Sequence, residues 1–131
     1  MTIEEGFERL SRSKFRSRFR LDESDLACIE RSGLEKIRAF AEKIVSERLA
    51  MANPPKDGKQ TPYRGHPVFK AQHATATCCR GCLNKWWKVQ KGIVLSNLQR
   101  EKIVNLIMAW IERQLAKHLA ERLKTTKQTK T

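Results

Sequence analysis

All four prolines of this chain, Pro54, Pro55, Pro62 and Pro67, fall in one stretch, ANPPKDGKQTPYRGHP at 52–67, which also holds Gly58 and Gly65. Proline inside a helix removes a hydrogen bond and collides with the preceding turn, so no long helix runs through this stretch. On either side the chain is proline-free, and its apolar residues recur at intervals of three and four. Leu34, Ile37, Ala41, Ile44 and Val45 share one stripe, and Ile103, Ile107, Trp110, Ile111 and Leu115 share another. No alternating strand of any length is present. The pattern predicts an all-α protein, a compact bundle of four or five helices with one long Pro/Gly-rich loop at 52–67.

Helix ends follow from local chemistry. Asp22 is a candidate N-cap for LDESDLACIERSG, and Gly33 closes that helix. Ser32 and Glu35 have the S-x-x-E spacing of a capping box, which predicts the start of the next helix; Ser96 and Gln99 predict the start of the last one. Pro67 suits a first helical turn, and a further break is expected around WKVQKGIVLS. With 131 residues the chain suits one domain, expected over 1–123, followed by a disordered basic tail, KTTKQTKT, at 124–131.

The longest apolar run, LIMAWI at 106–111, is far below a membrane span. MTIEEGFERL carries no apolar signal-peptide core, so a cytoplasmic location without a membrane is expected. In that compartment cysteines are reduced thiols or metal ligands, not disulfides.

The net charge of +13 is unevenly spread. Residues 1–50 hold 11 Lys/Arg and 10 Asp/Glu, residues 51–100 hold 9 and 1, and residues 101–131 hold 7 and 3. The nearly carboxylate-free middle concentrates polyanions and points to a nucleic acid, DNA or RNA, with an acidic protein as the alternative partner. Lys14, Arg16, Arg18, Arg20, Lys59, Arg64, Arg80, Lys85 and Lys88 are the candidate phosphate contacts. The first four belong to SRSKFRSRFR, where Phe15 and Phe19 anchor a cationic edge, or else plug the core while the arginines pair with nearby glutamates. No groove-reading motif is present, so no base specificity follows. GKQT at 58–61 lacks the upstream glycine and strand of a phosphate-binding loop.

HATATCCRGCLNKWW at 73–87 concentrates soft ligands. With His66 nearby, the candidates are His66, His73, Cys78, Cys79 and Cys82. Cys79 and Cys82 have the C-x-x-C spacing that places two thiolates on one zinc ion, with His73 and His66 the next candidates. On an unbroken helix Cys78 and Cys82 would point about 140° and 180° away from His73, so a metal site requires a break near Thr75–Thr77 or Gly81. The competing reading is a buried stripe of Cys78, Cys82 and Trp86 at i, i+4 and i+8, without metal. Cys28 reads as a buried structural thiol. Redox chemistry of the thioredoxin type lacks its βαβ context. Catalysis by a Cys–His pair lacks an acidic group to orient the histidine.

LSRSKFRSRF, DGKQTPYRGHPVF, AQHATATCCRGCL-x-KW and IMAWIERQ resemble a small bacterial and phage family, domain of unknown function 4186, over residues 9 to 114. In that family KW is usually followed by His, where this chain has Trp87. The resemblance implies one compact domain and no established activity. Three expectations stand together: a phosphate-binding helical module with a structural zinc, a protein-binding module marked by an exposed apolar patch including Trp86, Trp87 or Trp110, and an enzyme built on the His/Cys cluster.

Overall fold

The computed structural model describes residues 2–129, with side chains through residue 124. It is all-helical among those residues. Six α-helices follow one another: α1 (Ile3–Ser11), α2 (Glu23–Ser32), α3 (Leu34–Ile44), α4 (Pro67–Ala74), α5 (Arg80–Trp87) and α6 (Asn97–Thr129). A 3-10 turn at Arg16–Arg18 follows α1, and a π-helical turn at Val45–Leu49 extends α3. The expected count of four or five falls short because the 67–87 segment breaks into two helices. α6 also runs on to Thr129, so the segment from 124 expected to be disordered is helical backbone that far.

Capping explains most boundaries. Asp22 accepts from the Asp25 amide while Asp25 accepts from the Asp22 amide, both at 2.9 Å, a reciprocal box at the head of α2. Ser96 and Gln99 form the same device before α6. Ser32 does not cap α3: the N-cap is Gly33, whose φ of +85° swings the chain directly from α2 into α3. One left-handed glycine serves both helix ends, and the S-x-x-E pattern is incidental.

α6 forms the spine, packing chiefly on α3 and α4. Ile37, Ala41, Val45 and Leu49 meet Ile103, Val104, Ile107 and Ile111 in the main core, with Val68, Ala71 and Leu83 filling in from α4 and α5. Cys28 packs half-buried against this core. Phe7, Leu10, Ala76 and Leu106 make a second cluster, flanked by Cys82, Trp86, Trp87 and Trp110. Gly6 lets α1 approach that cluster: a Cβ there would lie 2.1 Å from the Trp87 ring.

The 52–66 loop is tied down over the segment that follows it. Asp57 accepts from the amides of Arg80 and Gly81 at 2.9 and 3.0 Å, which caps α5 with a carboxylate. Burial pushes the Asp57 pKa up, but hydrogen bonds from Gln60, Arg80 and Gly81 outweigh it and hold the carboxyl below its ordinary range. The Thr61 hydroxyl donates to the Cys78 carbonyl at 2.7 Å. Beneath this loop, every residue from 71 to 80 is buried.

Candidate metal centre

α4 ends at Ala74 because Thr75 donates its hydroxyl back to the Ala71 carbonyl at 2.7 Å and Ala76 turns left-handed, with φ +59°. The Thr75 and Thr77 hydroxyls meet at 2.9 Å. Gln72 Nε2 donates to the Thr77 carbonyl, and Trp87 Nε1 donates to that of Thr75. The break therefore falls at Thr75–Thr77, one of the two positions a metal site required. It also ends the stripe reading, since Cys78 lies in the connecting turn and not on a helix with Cys82 and Trp86.

α5 restarts at Arg80 with Cys79 as its N-cap, and the Cys79 sulfur accepts from the Cys82 amide at 3.3 Å. The turn folds Cys78 back onto the same spot. The sulfurs of Cys78, Cys79 and Cys82 all lie within 4.8 Å of one another. Three thiolates about a tetrahedral ion sit roughly 3.8 Å apart at a metal–sulfur distance of about 2.3 Å, so only a small contraction separates this cluster from a ligand set. Cys78 and Cys79 are buried and Cys82 is half-buried, which leaves the cluster with one accessible side.

Arg16 stands over the sulfurs. Its Nη2 donates to Cys82 Sγ at 3.0 Å, and its Nη1 lies 3.6 Å from Cys78 Sγ and donates to the His73 carbonyl at 2.7 Å. Hydrogen bonds from Cys78 and Cys79, then from Arg16, hold the Cys82 thiol far below its ordinary range. Hydrogen bonding to its neighbours and burial push Cys78 far up.

Neither histidine belongs to the three-sulfur cluster. His73 Nε2 lies 3.0 and 3.1 Å from the carbonyls of Thr61 and Pro62, both acceptors, so this nitrogen carries the proton and Nδ1 keeps the lone pair. Its ring is sandwiched between Tyr63, at 4.2 Å, and Phe19, at 5.5 Å. Burial pulls the His73 pKa down. His66 caps α4, its Nδ1 accepting from the Val68 amide at 3.1 Å, and its ring packs 4.0 Å from Phe40. No cysteine or histidine lines three cavities of about 220 to 490 Å³, one of which is bordered by Arg16 and Phe19.

A model for a domain of unknown function, DUF4186, matches residues 4–112. The chain belongs to that family. The match spans α1 to the middle of α6, so the DUF4186 domain includes the loop, the sulfur cluster and both hydrophobic clusters. No solved structure matches the chain. Trp87 fills the space beside Gly6.

The nine candidate phosphate contacts divide. Lys14, Arg18, Arg20, Lys59, Arg64, Lys85 and Lys88 are exposed. Arg16 is turned inward to the sulfurs. Arg80 is 1% exposed and is corrected here to a structural residue. Its Nη1 donates to the carbonyls of Leu49 and Met51, and its Nη2 to those of Gln90 and Ile93, at 2.6 to 3.3 Å. The five fixed donors of guanidinium make it suited to bracing two connecting segments at once. Trp86, Trp87 and Trp110 are all half-buried. Among the described residues no helix is long and apolar enough to cross a membrane.

Proposed function

We propose that Cys78, Cys79 and Cys82 hold a soft divalent metal ion, zinc, and that this centre stabilises the turn between α4 and α5. The observation that carries this reading is the convergence of three sulfurs within 4.8 Å, brought together by the five-residue break at 75–79 and the restart of helix after it. Soft thiolates select zinc over hard cations. A divalent ion with three thiolates carries one net negative charge, which the adjacent Arg16 guanidinium offsets. The fourth position is left to water or a further ligand. Cobalt(II) added to metal-free protein tests the site. It should produce intense sulfur-to-cobalt charge-transfer absorption that zinc abolishes and that Cys79→Ser/Cys82→Ser lacks. Absence of that absorption in the wild-type protein contradicts the proposal.

A second reading concerns what this module meets. The excess of nine Lys/Arg over one carboxylate in residues 51–100, with Lys59, Arg64, Lys85 and Lys88 exposed, favours nucleic acid bound through phosphates. Asp57, the one carboxylate of that region, is engaged with the head of α5. Affinity for an oligonucleotide should fall linearly with salt on a log–log plot. A salt-insensitive affinity, or none at low salt, sinks this second reading.

A further inference from the structure

Three rings form one column at the protein surface. Phe19 stacks on His73 at 5.5 Å and 15°, and His73 stacks on Tyr63 at 4.2 Å and 7°. The inner members are held: His73 by the carbonyls of Thr61 and Pro62, and Phe19 half-buried behind it. Tyr63 ends the column and is 59% exposed, although His73 covers one of its faces. Its other face is therefore open to solvent. Phe15, itself 38% exposed, meets Tyr63 edge-on at 6.4 Å and forms a side wall.

Exposed cations lie beside the column or next to Tyr63 in the chain. The Arg18 guanidinium lies over the Phe15 ring at 5.6 Å, and Arg64 follows Tyr63 directly. Lys14, Arg18 and Arg64 are all exposed, and residues 9–21 contain no carboxylate. A rigid ring stack with one open face is suited to a planar guest. The nearby positive charge favours an anionic guest. A planar ring flanked by negative charges describes a nucleobase between its phosphates, and only an unpaired base offers a free face.

We infer that the open face of Tyr63 is a stacking platform for an unpaired base of a single-stranded nucleic acid, whose flanking phosphates lie against Lys14, Arg18 and Arg64. This rests on the phosphate-binding reading above and adds the strand state and the site. The stack and the charges are shared by DNA and RNA, so both sugars enter the test.

The experiment measures fluorescence anisotropy of labelled oligonucleotides of about 12 nucleotides, within the site sizes such platforms cover. Single-stranded DNA, single-stranded RNA and a duplex of equal length are compared with the zinc-loaded protein. At least one single strand should bind more tightly than the duplex, and the stronger of the two names the source. Tyr63→Ala should weaken single-strand binding by about 5- to 150-fold, the loss expected for one stacked base, while leaving duplex binding unchanged. Tyr63→Phe should restore it. Phe15→Ala gives an independent variant should Tyr63→Ala disturb the loop, and thermal melting of each variant reports folding. Duplex binding as tight as single-strand binding, with no loss in Tyr63→Ala, overturns the platform and leaves phosphate binding standing. No binding of any oligonucleotide at low salt overturns both.

Discussion

The Arg16 guanidinium donates to the Cys82 sulfur at 3.0 Å, joining residues 66 positions apart in sequence. This contact links the 3-10 turn after α1 to the head of α5. It places a permanent positive charge beside the sulfurs of Cys78 and Cys82.

Removing that charge tests whether it supports the metal. Arg16→Gln keeps a polar side chain but leaves the metal–thiolate charge without its counterion. Zinc affinity should fall by about 10- to 100-fold, the usual effect of losing a partner behind the ligands. Competition against a chromophoric chelator measures it, and Arg16→Lys should recover part of the loss. An unchanged affinity in Arg16→Gln would mean the guanidinium serves only the His73 carbonyl.

Arg80 should matter for stability and not for binding. Arg80→Met would remove the donor to four carbonyls, those of Leu49, Met51, Gln90 and Ile93, of which Leu49's is buried. The expected cost is about 3 kcal/mol or more by urea denaturation. Arg80→Lys should rescue little, because a point ammonium cannot brace both segments. A cost below about 1 kcal/mol would show that water replaces the guanidinium without penalty.

Gly6 and Trp87 should behave as a coupled pair. Gly6→Ala sets a methyl group against the indole and should destabilise the fold by about 1–3 kcal/mol. In a Trp87→Leu background the same change should cost much less, because the ring it strikes has gone. A double-mutant cycle from thermal or urea unfolding reads the coupling directly. Additive effects would contradict the packing described.

Acid should weaken the α2–α4 contact. Lys70 Nζ lies 3.0 Å from Asp22 and 2.6 Å from the buried Asp25. A backbone hydrogen bond from Asp25, then one from the Lys70 ammonium, holds the Asp22 carboxyl at about 2, against an ordinary 3.8. The folded value lies below the unfolded one. Asp22 therefore adds stability in full above the ordinary value of 3.8, and that contribution is lost as pH falls through about 2. Asp22 is exposed, so the effect is modest and screened by salt. Asp22→Asn keeps the cap oxygen and should flatten the decline of urea stability across this window, whereas an identical pH profile would remove Asp22 from the acid response.

The helices were legible because their stripes and caps are local: Asp22, Ser96 and the proline cluster each fix a boundary within four residues of themselves. Ser32 misled because a left-handed Gly33 satisfies both helix ends without a side chain. C-x-x-C at Cys79 and Cys82 points to the cluster, while the choice for Cys78 between ligand and helical stripe rests on the left-handed Ala76, which no periodicity shows. The roles of Arg16 and Arg80 are set by partners 10 to 66 positions away, which no periodicity encodes. Composition gave both of them to phosphate; folding turned both inward. His73 and His66 looked like ligands by proximity, and the structure uses one as a stacked ring and the other as a helix cap.

Elemental analysis of protein purified without chelator or added metal, set against protein concentration, tests the central claim most directly. The account predicts about one zinc per chain in the wild type, no metal in Cys79→Ser/Cys82→Ser, and a lower melting temperature once the metal is stripped, since binding energy at such a site is folding energy. Wild-type protein that carries no zinc, takes up none when it is supplied and melts at the same temperature with or without it would contradict the account.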